Sequence, residues 1–206
     1  MDNAHPLSTP MVIHSLETSK DPFRPQKENK ELFGPEVPYL SAIGALMYLA
    51  NATRPDIAFS VNLLARYSSF PTRRHGNRIK HILQYMKGTI DMGLFYANNG
   101  SADLVGYAYA GYLSDPHKAR SQTGYLFTCG GTAISWRSTK QSIVATSSNH
   151  AEIIAIHEAS RECVWLRSVT HFIKERCGLK RDTKIPTVLY EDTAACIAQL
   201  KGGFIK

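Results

Sequence analysis

The chain has 206 residues, 43% of them hydrophobic and 20% charged. That composition folds, and it excludes a wholly disordered chain; the length suits one ordinary domain or little more. Apolar runs stay well short of the roughly 18 residues of a membrane span, and Met1-Asp2-Asn3 opens no secretion signal, so an intracellular protein of cytoplasm or nucleus, with no membrane partner, is expected. Lys and Arg number 24 against 17 acids, a formal charge of +7, which points to a polyanionic partner. Cys129, Cys163, Cys177 and Cys196 show no C-x-x-C spacing. They read as free thiols rather than a zinc site.

In chain order, residues 1–37 read as an extended linker. Pro6, Pro10, Pro22, Pro25 and Pro35 break any period there. Residues 38–100 read as helical. Leu40, Ile43, Leu46 and Met47 recur at helical spacing, as do Ile57, Val61 and Leu64, and then Ile79, Ile82, Leu83 and Met86. Thr53-Arg54-Pro55-Asp56 reads as a helix start with a capping hydroxyl, and Gly88 as a helix end.

From residue 101 the period changes. Leu104 to Leu113 suits a strand with Val105, Tyr107 and Tyr109 on one face. Tyr125 to Cys129 and Thr132 to Trp136 suit two more, joined by a two-residue Gly130-Gly131 turn. A long helix is expected from Asn149 to Arg176, with Asn149 and Glu152 as a capping box and an apolar stripe of Ile153, Ile156, Cys163, Val169 and Phe172. A short buried strand, Thr187 to Tyr190, and a short helix, Thr193 to Leu200, follow.

Particular words stand inside this order. They are Leu104-Val105-Gly106-Tyr107, Ser121-Gln122-Thr123-Gly124-Tyr125, Ser135-Trp136-Arg137-Ser138-Thr139-Lys140-Gln141, Ala151-Glu152 and Tyr190-Glu191-Asp192. Upstream stand Ala42-Ile43-Gly44-Ala45-Leu46-Met47-Tyr48-Leu49, Thr53-Arg54-Pro55-Asp56-Ile57 and Lys87-Gly88-Thr89. With these words the chain resembles the C-terminal part of a copia-type retrotransposon Pol polyprotein. The resemblance implies an α+β or α/β fold: a helical reverse-transcriptase thumb and tether over 38–100, then an RNase H-like mixed sheet with flanking helices over 101–206, cut short at its C-terminus. It implies ancestral cleavage of RNA in RNA·DNA hybrids by carboxylates that hold Mg²⁺ or Mn²⁺. The remainder of the polyprotein is the implied ancestral partner.

Carried over residue by residue, the resemblance marks Glu152 and Asp192 as catalytic metal ligands. Without it, Glu152 reads as a helix-terminal charge and Glu191-Asp192 as a turn and cap. The first catalytic aspartate of the family falls at Tyr109, a phenol that cannot replace a bridging carboxylate at neutral pH and whose bulk is expected to fill the metal position. Asp103 and Asp115 lie too far along the strand to compensate. The family's fourth acid falls beyond Lys206, and the chain contains no Asp-Asp pair for a polymerase site. The expectation is a catalytically inactive remnant, a pseudoenzyme that binds metal weakly or not at all.

From Ile57 to Ile90 there is no acid. Arg73, Arg74, Arg78, Lys80 and Lys87 in this span, with Lys140 later, are the expected nucleic-acid contacts. Two alternatives differ in what they predict. An active RNase H, rescued by a compensating carboxylate or a partner-supplied strand, would turn over; an interaction module co-opted by the host would bind a partner at an open sheet edge and not turn over.

Overall fold

The computed structural model describes residues 5–12, 17–25, 36–97, 103–178 and 186–202. The rest of the expected linker, including Pro35, lies outside the described residues. The fold is mixed α/β, with five α-helices and a four-stranded mixed sheet among the described residues. The chain divides into two compact units, one of residues 1–94 with 113–119, the other of 95–112 with 120–206.

The first unit is helical. Helix α1 (Glu36–Ala52), a 3-10 turn (Pro55–Ile57), α2 (Ala58–Ala65) and α3 (Arg73–Gly88) follow one another. On α1 the buried stripe is Tyr39, Ile43, Leu46 and Ala50. Leu40 and Met47, expected inside, are exposed. The helix turns this way because Tyr39 is anchored: its hydroxyl donates to the Leu64 carbonyl at 2.8 Å. The stripe packs with Val61, Leu63, Leu64, Ile79, Ile82 and Tyr85.

Thr-Arg-Pro-Asp is a clasp rather than a hydroxyl cap. The 3-10 turn is entered at Arg54, with no side-chain cap bond. The Arg54 guanidinium forks onto Asp56 at 2.9 and 2.7 Å and donates to the Thr89 hydroxyl at 2.6 Å. Tyr85 donates to the same Asp56 carboxylate at 2.8 Å. The turn is thereby tied to the far end of α3. At the near end Thr72 caps α3, and the buried His75 reaches back to the Thr72 N–H at 3.0 Å. His75 also stacks on Tyr67, ring centroids 4.1 Å apart. Burial, opposed in part by backbone hydrogen bonds, pushes its imidazole down to about 4.

The described part of the expected linker packs on this unit. Phe23 lies in its core, and the Asp21 carboxylate, fully buried, meets His117 at 2.9 Å. The Leu7 N–H donates to the Gln84 carbonyl of α3. Gly88 permits this approach, since a Cβ there would stand 2.9 Å from Pro6 Cβ.

The second unit holds the sheet. Its elements are β1 (Leu104–Asp115, whose last residues enter the first unit), β2 (Arg120–Cys129), β3 (Thr132–Lys140), α4 (Ser148–Arg176), β4 (Val188–Tyr190) and α5 (Ala194–Gly202). The order is β3-β2-β1-β4. Strands β2 and β3 are antiparallel and close on Cys129 opposite Thr132. Gly130 and Gly131 join them at φ of 58° and 83°, the doubly left-handed turn that two glycines allow. Strand β4 runs parallel to β1, Gly106 opposite Leu189.

Strand β1 alternates as its sequence requires. Gly106, Ala108 and Ala110 face inward and Tyr107 and Tyr109 outward. The inward residues are small because α4 lies close, presenting Ala151, Ala155 and Ala159 one turn apart. These alanines and Leu166 form the buried face of α4; Phe172, expected in the stripe, is exposed. The helix is capped by Ser147, whose hydroxyl accepts the His150 N–H at 3.1 Å, and not by Asn149 and Glu152. Asn149 donates instead to Gln199 of α5 at 2.6 Å. Strand β4, expected to be buried, is an edge with Val188 and Tyr190 about half exposed; it has a sheet neighbour on one side only among the described residues.

Candidate functional site

Small residues on β1 and α4 bring the start of α4 against the β1 backbone. Glu152 follows Ala151, which packs on Ala110. Its side chain is therefore buried, 5% exposed, and its carboxylate accepts the Ala110 N–H. Glu191 and Asp192 arrive from the other side, directly after the last residue of β4. Because β4 is parallel to β1, its C-terminal end lies where ligand-binding groups gather in such sheets. One ligand oxygen from each of Glu152, Glu191 and Asp192 falls within 4.8 Å of the others.

Three carboxylates at this distance repel, and burial strengthens the repulsion. Burial first, then the neighbouring Glu191 charge, pushes the Glu152 carboxyl up to about 7, against the Ala110 N–H, which favours the anion. Burial and Asp192 likewise raise Glu191, opposed by the Thr193 N–H. Burial and these two glutamates raise the Cys196 thiol as well. Oε2 of Glu152 and Oε2 of Glu191 are both buried without a hydrogen-bond partner. Buried acceptors without donors and a surplus of negative charge fit a hard divalent cation with oxygen ligands.

The structure thus brings Glu152 and Asp192 together, as their sequence words imply, and adds Glu191. Sequence reasoning left Glu191 to a turn. The signal that finds it is the pair of acids directly after a strand parallel to β1. Tyr109 immediately precedes Ala110, whose N–H holds Glu152. Its ring does not occupy the cluster: it lies 57% exposed on the outward face, where the neighbouring Tyr107 stacks on Tyr190 at 5.3 Å. Asp115 sits in the first unit, accepting the His117 and Lys118 N–H groups and facing Arg66 at 3.5 Å.

The basic candidates separate by exposure. Arg73, Lys80 and Lys87 are exposed and stand seven residues apart on α3, two turns each, so they line one face of the helix opposite Ile79, Ile82 and Tyr85. Arg74 and Arg78 lie half-buried on its flank, with their Nε atoms buried. Lys140 is half-buried at the end of β3, opposite Gln122, in the second unit. No helix among the described residues is long and apolar enough to cross a membrane.

Comparison with known proteins places the chain. It is 46% identical over 130 residues to the secreted RxLR effector protein 161 of Plasmopara viticola, covering 63% of this chain and 92% of that protein. It is 41% identical over 167 residues to the retrovirus-related Pol polyprotein from transposon TNT 1-94 of Nicotiana tabacum, 81% of this chain and 12% of the polyprotein. To the polyprotein from transposon RE2 of Arabidopsis thaliana it is 34% identical over 175 residues, 82% of this chain and 11% of the polyprotein. The chain thus spans about a tenth of the length of these polyproteins. No protein-family model matches it. No solved structure matches it. On these likenesses, extending over four-fifths of its length, the chain belongs to the retrovirus-related Pol polyproteins of copia-type retrotransposons.

Proposed function

We propose that the second unit is an RNase H-like domain that retains cation binding without turnover, and that the first unit, the thumb and tether of a reverse transcriptase, contacts nucleic acid along α3. The observation that carries this reading is the carboxylate cluster between α4 and the end of β4, with a phenol in place of an acid at position 109. Glu152 and Asp192 would hold Mg²⁺ or Mn²⁺, and such an ion, when bound, supplies charge to a phosphate ester and to water. The protein's own part is geometric. The Ala110 N–H fixes Glu152 against β1, and the β4 turn presents Asp192 beside it. Hydrolysis by two ions requires ligands on both sides of the scissile phosphate. Tyr109 offers no anion on the β1 side at neutral pH. Asp115 is held by Arg66 and by backbone N–H groups of the other unit, which disfavours it as a compensating ligand.

The ligand of the first unit is an RNA·DNA hybrid or other nucleic acid, met inside the cell where an element copies its RNA, and the rest of the polyprotein is the ancestral partner. Arg73, Lys80 and Lys87 span about 21 Å of helix at 1.5 Å per residue, enough to follow several phosphates. Each phosphate neutralised adds close to one unit to the dependence of log affinity on log salt. Replacing the three by alanine is expected to weaken hybrid binding and to lower that slope by about 2 to 3. Fluorescence anisotropy across a salt series measures it. An unchanged slope would remove α3 from the interface.

A further inference from the structure

We propose that Glu191 is the third ligand of a single-cation site, so that this chain completes the site from α4 and the end of β4 alone, without an acid on β1. The inference rests on the cation-binding half of the reading above; it does not depend on hybrid binding or on the absence of turnover. Three observations carry it. First, Glu191 brings a carboxylate oxygen within 4.8 Å of those of Glu152 and Asp192. Second, each glutamate is held through one oxygen and left bare at the other. Glu191 Oε1 accepts the Thr193 N–H at 3.2 Å and its Oε2 is buried without a donor. Glu152 takes the Ala110 N–H, while its Oε2 is bare although the side chain is 5% exposed. Third, the Asp192 side chain is exposed, so the site opens on one side to solvent.

A buried carboxylate oxygen without a donor is expensive in free energy, and two beside each other more so. A hard cation relieves both. Mg²⁺ is ordinarily bound through one or two carboxylates with several waters kept; three carboxylates and an open side therefore suffice for one ion. They do not suffice for two ions, whose sharing calls for an acid on the β1 side, where only the Ala110 N–H meets the cluster and Tyr109 faces away from it.

The test uses the full chain and Mn²⁺ alone, with bound ion counted by the loss of the free Mn²⁺ EPR signal. The wild type is expected to bind one Mn²⁺. E191Q is expected to bind it at least tenfold more weakly, E152Q to lose it, and E158Q, on α4 outside the cluster, to match the wild type. Circular dichroism checks that each variant is folded. Mn²⁺ should also broaden the amide NMR signal of Thr193, whose N–H bonds Glu191, and this readout needs no variant. Wild-type affinity in E191Q would overturn the assignment of Glu191 while leaving the cation reading in place; a sharp Thr193 signal in Mn²⁺-bound protein would put the ion away from Asp192 as well and overturn both. No binding by the wild type would overturn both.

Discussion

Phe127→Ala is expected to destabilise the sheet unit by about 3–5 kcal/mol, the range for removing a fully buried aromatic ring. Phe127 is wholly buried and sits where three elements converge. Its ring fills the space over Gly106: a Cβ on that glycine would stand 2.5 Å from Phe127 Cε1 and 2.8 Å from Leu189 Cδ1. It packs with Ala108 of β1 and with Ala159 and Leu166 of α4, and meets Tyr125 edge-on at 5.9 Å. Gly106, Ala108 and Ala159 beside it carry too little side chain to refill the space, so a cavity contribution adds to the loss. The loss reaches the site, because Leu189 of β4 stands two residues before Glu191, and Ala108 two residues before Ala110 on β1. Urea unfolding followed by circular dichroism measures the change; a loss below about 1 kcal/mol would show that the ring is not the keystone of this unit.

Glu152→Gln is expected to act in the opposite direction. Without divalent cation, at pH 8, it should stabilise the protein by about 1–3 kcal/mol. Glutamine keeps an oxygen for the Ala110 N–H and offers an amide N–H to the Glu191 carboxylate, so one repulsion becomes one hydrogen bond. The pH dependence follows from the raised Glu152 carboxyl. Folded at about 7 and near 4.3 when unfolded, the group binds more protons in the folded state between those values. Wild-type stability therefore falls as pH rises across that window and stays low above it. The gain in E152Q should be largest at pH 8 and vanish near pH 4. Saturating Mn²⁺ should reverse the ranking, since only the wild type gains from the ion. Thermal unfolding at several pH values, with and without Mn²⁺, measures this. A variant less stable than the wild type at pH 8 without metal would contradict the strained cluster.

Much of the fold was legible because local pattern and tertiary packing agree. The Gly130-Gly131 turn follows from two residues that tolerate positive φ, and the outward Tyr107 and Tyr109 from strict alternation. The errors came where a tertiary contact overrode the local signal. The α1 stripe keeps Ile43 and Leu46 but takes Tyr39 and Ala50 in place of Leu40 and Met47, because Tyr39 finds a carbonyl on α2, a partner that periodicity cannot see. Thr53 reads as a cap, but the Arg54–Asp56 clasp to Thr89 and Tyr85 determines the entry to α2. The α4 face is alanine because β1 is built of Gly106, Ala108 and Ala110, and small residues carry little hydrophobic period. That Glu152 and Asp192 stand close together was legible through their words. Glu191 was not, since an acid beside another acid reads as a turn until the parallel pairing of β4 with β1 places both against α4.

The second unit is proposed to hold a cation and not to cleave. Its most direct test is incubation of the purified, folded chain with a labelled RNA·DNA hybrid in Mg²⁺ and then Mn²⁺, with E152Q in parallel. Intact RNA is expected in every lane, from protein that binds Mn²⁺. Metal-dependent cleavage by the wild type that disappears in E152Q would contradict it, and would mean that the carboxylates of α4 and β4 suffice for catalysis without an acid on β1.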